Sequence, residues 1–269
     1  MNVTDIPISN LRAFEGHPYK VLDDAEMDEL TESIRENGIL SPLVVRPLGK
    51  GDYEVISGHR RLHAAEKAGL EKVPAFVHEI ERDEAAVLLV DSNLHREHIL
   101  PSEKAFAYKL KMEALAHRGV TCGQVGHKSR DDISDTDSGR TVQRYIRLTR
   151  LVPDLLQMMD EGRIAFSVGV ELSFLSPQSQ HNVLEAIELN DCTPSYSQAC
   201  RMHREADTLT ADQIRAMLAE EKPNQREQIK LRRDEFRKYF PSNYTDQQIV
   251  RDILRGLELL KRQRSRDAR

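Results

Sequence analysis

The sequence predicts an α+β fold, with a small mixed α/β N-terminal domain, then an all-helical domain, then a short helical C-terminal segment. Residues 1–100 alternate short β-branched runs with helical segments, and apolar residues recur at helical spacing from Pro101 onward. The charge balance also changes sign along the chain. We therefore expect domain boundaries that give segments 1–100, 101–221 and 222–269.

The distribution of charge matters more than its total. The net charge of the 269 residues is −5, which taken alone argues against a nucleic-acid partner. Residues 1–100 contain 11 Lys and Arg against 19 Asp and Glu, and residues 101–224 contain 15 against 18. Residues 225–269 contain 13 against 7, a net charge of +6. This basic tail is either a solvated helix end or a segment that contacts phosphates.

Composition excludes several classes of protein. The longest apolar run, residues 85–90, is too short to span a bilayer, and the first residues lack the apolar stretch of a signal peptide. The three Cys form no C-x-x-C pair, which argues against a disulfide scaffold or a Cys-rich zinc module. We expect a cytoplasmic protein with no membrane partner.

The elements predicted for the first 100 residues are strand, helix, strand, strand, helix, strand and helix. Asp23 or Asp24 can cap the first helix, and Gly38 can end it. The second helix follows Gly58 and ends at Gly69. Strands are predicted at 43–47, 53–56 and 73–77, with a turn at 49–52.

The strand-to-helix junction at Gly58 has the features of a phosphate site. A Gly followed by Arg60 and Arg61 at the start of a helix offers backbone N–H groups, a positive dipole end and guanidinium groups. A second polar cluster, residues 91–97, ends the next helix. The alternative is an Arg pair that bridges acidic neighbours on a solvated face.

From Pro101 the pattern is helical. Phe106, Leu110 and Leu115 predict the apolar stripe of a long helix that ends at Gly119. Further helices are predicted from Pro153, at 166–175, at 177–189, at 195–206 and at 211–221, and residues 222–224 are the best linker candidate. We interpret Met158 and Met159 as core residues.

The helix at 140–148 has the side chains of a helix that contacts DNA. Its apolar residues predict one buried side, and Arg, Gln and Thr are residue types that contact guanine, adenine, and phosphate or the thymine methyl. An ordinary amphipathic surface helix is the alternative. The residues expected on the DNA side are Arg140, Thr141, Gln143, Arg144 and Arg147.

Two helices are predicted in the basic tail, at 232–240 and 246–262. In the second, Ile249, Ile253, Leu257 and Leu260 form an apolar stripe that must be buried. We favour burial in a homodimer, because two-fold symmetry would match a palindromic DNA site. The alternative is packing against the middle domain.

Taken in order, these motifs resemble the ParB family of partition proteins. The run from Ser57 to Ala65 comes first, then Val73-Pro74, then Asn93 and Arg96 followed by residues 101–105. The resemblance runs from about residue 6 to residue 175. It implies a ParB/sulfiredoxin-like N-terminal domain and a helix-turn-helix, with a scanning helix near 129–136 and a recognition helix at 140–148. It also implies a dimer bound to double-stranded DNA at a centromere-like inverted repeat.

The resemblance implies a nucleotide site as well. In the family, a G-x-R-R segment and an E-N-x-x-R segment hold the triphosphate of CTP with Mg²⁺, and CTP closes the dimer into a clamp on DNA. His59 and Ser92 stand where the family has Glu, and loss of the second carboxylate argues against hydrolysis. The residues expected to bind the cofactor are Gly58, His59, Arg60, Arg61, Ser92, Asn93 and Arg96.

The same residues also bear on the functions of related proteins. Sulfiredoxin shares the small fold but needs a Cys directly after the Gly, where His59 stands. A ParB-like nuclease could recruit His59, His63, His95 and His98 to a metal, with the first two as an i, i+4 pair, although no Asp/Glu spacing supports a two-metal site. The leading expectation is a partition protein of a plasmid, mobile element or chromosome, with a ParA-type ATPase as partner. The absence of the Arg-rich N-terminal tail that stimulates that ATPase favours the alternative of a ParB-like transcriptional regulator.

Overall fold

The computed structural model describes residues 3–96, 98–117 and 137–220, together with 239–240, 248–249, 251–253 and 255–257. The chain divides into two compact units, residues 1–220 and 221–269. The predicted scanning helix near 129–136 and the linker at 222–224 lie outside the described residues. Most of the two predicted tail helices also lies outside them, so the dimer helix stays a prediction.

One mixed sheet forms the centre of the N-terminal region. Its strands are ordered β1-β5-β3-β4-β2; β1–β5 and β3–β4 pair antiparallel, whereas β3–β5 and β2–β4 pair parallel. The strands predicted at 43–47, 53–56 and 73–77 are confirmed. The strands are β1 Val3–Pro7, β2 Leu11–Ala13, β3 Leu43–Gly49, β4 Asp52–Ser57 and β5 Lys72–Val77.

The two edge strands of this sheet are neighbours in sequence. Only the 3-10 helix Ile8–Asn10 separates β1 from β2. Four residue steps from Pro7 to Leu11 reach at most about 14 Å, whereas the outer strands of a flat five-stranded sheet lie about 19 Å apart. The sheet therefore curls, so that its two edges approach each other.

Helices cover both faces of the sheet. Met27 and Ile34 of α1 (Ala25–Asn37) and Leu62 of α2 (His59–Ala68) pack with Val55. On the other face, Ile56 packs with α3 (Arg82–Leu94), because successive residues of a strand point to opposite sides. The predicted ends of α1 are confirmed: Asp24 accepts a hydrogen bond from the backbone N–H of Met27 at 2.9 Å, and Gly38 ends the helix.

The fourth helix, α4 (Pro101–His117), differs from the predicted stripe. Phe106 is 40% exposed, and Leu110 and Leu115 are half-buried. The prediction that Phe106 lies on the buried stripe is wrong, because the buried face of α4 consists of Tyr108, three Ala and three polar residues, Ser102, Glu103 and Lys111. Lys111, for example, lies 2.6 Å from the carboxylate of Asp91.

Six further helices lie between residues 137 and 220. They share one apolar core, which contains Leu148, Leu155, Leu172 and Met202. Met158 and Met159 lie in it, as predicted. The helices are α5 Gly139–Leu148, α6 Pro153–Asp160, α7 Phe166–Leu172, α8 Pro177–Asn190, α9 Tyr196–Arg204 and α10 Ala211–Ala219.

The boundary predicted at residue 100 lies within the first compact unit. The apolar cluster around Ile56 includes Ala107 and Ala114 of α4 beside residues of α3. The division into segments 1–100 and 101–221 stays a prediction, and α4 packs with both parts of the chain.

Candidate functional site

The chain turns from β4 into α2 at Gly58. Its φ of 105° lies in the left-handed region that favours glycine. A Cβ at this position would lie 3.0 Å from Leu43 Cγ and 3.1 Å from Arg61 Nη2. The first turn of α2 has neither a side-chain cap nor an acidic residue, so the positive end of the helix dipole has no local counter-charge.

A cleft opens beside this turn. Four of the side chains that line it are cationic, Lys20, Arg60, Arg61 and Arg96, and no carboxylate is found among its described lining residues. Such a lining suits an anionic ligand. Six of the seven predicted cofactor residues line the cleft, namely Gly58, His59, Arg60, Arg61, Asn93 and Arg96.

The seventh predicted residue, Ser92, is not among the lining residues. Its hydroxyl donates to the carbonyl oxygen of Leu89 at 3.0 Å and accepts a bond from Asn93 Nδ2 at 3.2 Å. Asn93 is buried and also donates to the Leu89 carbonyl, at 2.7 Å. The end of α3 is thereby held in place beside the cleft.

The two adjacent arginines have different surroundings. Arg60 Nη2 lies 3.3 Å from Glu26 and 3.6 Å from Asp24, which is the ion pairing that the alternative interpretation predicted. Arg61 instead donates from Nη1 to the carbonyl oxygens of Ser41 and Pro42, and burial lowers its pKa. Arg61 therefore ties the loop before β3 to the cleft, whereas Arg60 faces the carboxylates at the start of α1.

Two imidazoles contact each other inside the cleft. The ring centroids of His17 and His59 are 3.7 Å apart. Burial, followed by the charges of His17 and Arg96, lowers the pKa of His59 to about 3. Burial also lowers the pKa of His17, and the charge of Arg96 adds to it. Both rings are therefore neutral at pH 7.

The segment at residues 17–21 also lines the cleft, although it was not predicted as part of the site. Tyr19 is buried, and its hydroxyl has no hydrogen-bond partner within the described chain. The guanidinium of Arg96 lies 5.5 Å from the centre of its ring. This segment has no periodic pattern, so no sequence signal identified it.

Lys20 connects the cleft to the helices beyond residue 100. Its backbone N–H donates to Glu103 Oε1 at 2.8 Å, and its Nζ donates to Asp160 at 3.0 Å. Asp160 also accepts bonds from the backbone N–H and the hydroxyl of Ser102, at 3.0 and 2.6 Å. One side of the cleft is thus attached to the start of α4 and the end of α6.

The five predicted DNA-contacting residues lie on α5. Ser138 caps this helix by accepting a bond from the backbone N–H of Thr141, and its hydroxyl is 2.9 Å from the Thr141 hydroxyl. Arg140 is exposed, and Thr141, Gln143, Arg144 and Arg147 are half-buried.

Three of these side chains also contact the protein. The amide of Gln143 lies 3.9 Å from Met112 Sδ. The guanidinium of Arg144 is 4.9 Å from the centre of the Phe166 ring, and that of Arg147 is 3.8 Å from the centre of the Phe174 ring. Of the two arginines, Arg147 therefore lies closer to its aromatic ring.

Neither a metal site nor a membrane-spanning helix is found among the described residues. Among them, no group of three or more His, Cys, Asp or Glu could hold a metal ion. His63, which the nuclease hypothesis pairs with His59, instead lies 2.9 Å from Asp23. None of the described helices is long and apolar enough to pass through a bilayer.

Several known proteins are similar to this chain. Residues 1–94 match the ParB N-terminal domain family. The chain is 35% identical over 178 residues to the chromosome-partitioning protein Spo0J of Thermus thermophilus, which is 66% of this chain and 62% of that protein. It is 41% identical over 123 residues to a nucleoid occlusion protein of Bacillus cytotoxicus, which is 43% of this chain and 42% of that protein. The chain thus spans less than two thirds of the relatives it matches.

A solved structure shows a more distant likeness. The C-terminally truncated chromosome-partitioning protein ParB of Caulobacter crescentus, complexed to the centromeric parS site, covers 80% of this chain. The match includes 98% of that chain, at 20% identity and a TM-score of 0.43.

Proposed function

We propose that this chain, whose residues 1–94 match the ParB N-terminal domain family, binds DNA sequence-specifically as a partition protein. The observation that supports the proposal is α5, which has Val142 and Leu148 in the core and Arg140, Gln143 and Arg144 on its polar side. Arg and Gln form bidentate contacts with guanine and adenine in the major groove. The target is a centromere-like inverted repeat, bound by a homodimer.

The DNA proposal is tested by competition. A duplex selected by the wild-type protein from a random library competes against unselected DNA in a gel-shift assay. We expect Arg144→Ala to weaken binding of the selected duplex by about 10- to 100-fold more than binding of random DNA. Arg163→Ala, at an exposed Arg next to α6, is the matched control and should leave both unchanged. Equal weakening of both by Arg144→Ala would overturn base reading by α5.

We propose that the cleft at Gly58 binds a nucleoside triphosphate, with CTP as the expected ligand. The positive end of α2 and the four cations support this assignment. The described lining provides no carboxylate, so it does not form an Mg²⁺ site of its own, and the metal would depend on phosphate oxygens. We assign no hydrolytic step, because His59 and Ser92 replace the two family Glu residues.

Calorimetry with CTP, GTP and ATP tests the cleft. We expect binding of CTP and its loss in Arg96→Ala, because Arg96 lines the cleft. Arg35→Ala removes an exposed Arg on α1 that pairs with Glu32 and should bind as the wild type does. Absence of binding to all three nucleotides at high micromolar concentration would contradict the proposal.

The proposed setting is the bacterial cytoplasm, on the nucleoid, with a ParA-type ATPase as a second partner. Genome-wide mapping of bound DNA separates a partition role from gene regulation. A few sites with spread signal near an origin indicate partition of a chromosome or plasmid. Scattered promoter sites, with no effect on a ParA-type ATPase, would instead indicate a ParB-like transcriptional regulator.

A further inference from the structure

Arg147 is held by the protein at the end of α5. Its guanidinium lies 3.8 Å from the centre of the Phe174 ring, and Nη2 donates to the Ser173 carbonyl oxygen at 3.4 Å. Its Nε is buried and has no hydrogen-bond partner among the described residues. Burial, with the charge of Arg150, lowers the pKa of Arg147. These contacts direct Arg147 toward the segment that follows α7.

Phe174 connects Arg147 to a second helix. Its ring stacks on the imidazole of His203 in α9, with centroids 3.9 Å apart and planes inclined by 16°. Nδ1 of His203 lies 2.6 Å from the carboxylate of Glu171 in α7. Arg147, Phe174, His203 and Glu171, which we call the Arg147 stack, thus form a continuous row of contacts between α5, α7 and α9.

We infer that Arg147 is a positioning residue, which fixes how α5 presents its polar side instead of contacting DNA itself. The inference rests on the proposed DNA binding by α5. A guanidinium that turned to a phosphate would give up both the Phe174 ring and the Ser173 carbonyl. Arg140, in contrast, is exposed at the start of the helix and can reach DNA without breaking such contacts.

The planarity of the guanidinium makes the inference testable by a conservative change. Lysine keeps the charge and can contact a phosphate, but it cannot stack flat on an aromatic ring. A phosphate contact would therefore survive Arg147→Lys, whereas the Arg147 stack would not. Salt dependence gives a second readout, because loss of one phosphate contact reduces the slope of log K against log salt by about 1.

The experiment measures the affinity of the full chain for the selected duplex at several salt concentrations. We expect Arg147→Ala, Arg147→Lys and Phe174→Ala each to weaken binding about 10-fold while the salt slope stays at the wild-type value. Arg140→Ala is the matched control and should reduce the slope by about 1. Circular dichroism checks that each variant is folded, and His203→Ala replaces Phe174→Ala if the latter does not fold.

The outcomes separate the two proposals. A reduced salt slope in Arg147→Ala, with affinity retained in Arg147→Lys and in Phe174→Ala, would overturn the positioning role. A wild-type protein that enriches no sequence from the library would overturn the DNA-binding proposal. The salt slopes of the Arg147 variants are interpreted only once that enrichment is seen.

Discussion

The imidazole of His59 contacts that of His17, with ring centroids 3.7 Å apart, at the first turn of the helix that borders the cleft. Burial and neighbouring charge lower the pKa values of both rings. Just below pH 6.5 the unfolded chain therefore takes up protons at these histidines, whereas the folded protein keeps both rings unprotonated. The pair therefore links the stability of this region to pH.

We expect the free energy of unfolding to fall as the pH decreases from about 6.5 toward 3. Below the unfolded pKa of 6.5, the unfolded chain binds protons at His59 and His17 that the folded chain does not. Each such histidine contributes at most about 1.4 kcal/mol per pH unit. His59→Gln should flatten this dependence in urea unfolding curves at pH 7.5 and 5.0, whereas His95→Gln, at an exposed position, should not. An unchanged pH dependence in His59→Gln would contradict the link.

Gly58 and Gly69 lie at the two ends of α2, and both have positive φ. Of these two glycines, Gly58 is the one at which an added Cβ would meet other atoms, namely Leu43 Cγ and the Arg61 guanidinium. We expect Gly69→Ala to lower the free energy of unfolding by about 1 kcal/mol, and Gly58→Ala to lower it by about 2–4 kcal/mol. Chemical denaturation measures both, and calorimetry should show loss of CTP binding in Gly58→Ala alone. Equal effects of the two substitutions would show that backbone strain, and not the clash, decides the result.

Arg46 and Glu54 form a mostly buried ion pair between β3 and β4, at 2.6 Å, with side chains 12% and 7% exposed. We expect Glu54→Ala to destabilise the protein by about 3–5 kcal/mol, because it leaves the Arg46 guanidinium without its counter-charge. The double variant Arg46→Met/Glu54→Leu should recover most of this loss. Urea titration of Arg46→Met, Glu54→Leu and the double variant completes the cycle, and additive effects of the two single changes would refute the coupling.

Asp160 and Lys20 share an ion pair but differ in burial, since their side chains are 7% and 51% exposed. We expect Asp160→Ala to lower the free energy of unfolding by about 2–3 kcal/mol, because it leaves the buried Ser102 without its acceptor. Lys20→Met should lower it by less than about 1 kcal/mol, as for an exposed pair. Thermal unfolding compares the two, and a larger loss for Lys20→Met would show that the ion pair dominates over the bonds to Ser102.

Local signals predicted much of this architecture. Asp24 and Gly38 mark the ends of α1 because capping chemistry acts within one turn. The Gly58 turn was predicted for the same reason, since its left-handed conformation and the adjacent arginines are neighbours in sequence. Helix α5 followed from a clear apolar periodicity around Val142.

Features that depend on distant parts of the chain could not be predicted. Strand β2 has three residues, and it is recognised as a strand by its pairing with β4, which is distant in sequence. The segment containing Tyr19 reaches the cleft through contacts with Glu103 and Asp160, which lie 83 and 140 positions from Lys20. Arg147 likewise packs on Phe174, which follows a different helix. The sequence pattern of neither segment predicts this contact.

The consecutive placement of β1 and β2 has a consequence for the solubility of the protein. Residues 3–13 supply both outer strands, so their removal would leave β4 and β5 as new, unpaired margins of the sheet. Unpaired strands offer rows of N–H and C=O groups that pair with other chains. Proteolysis near residue 13, followed by dissociation of the cleaved segment, would thus create two aggregation-prone margins in the sheet.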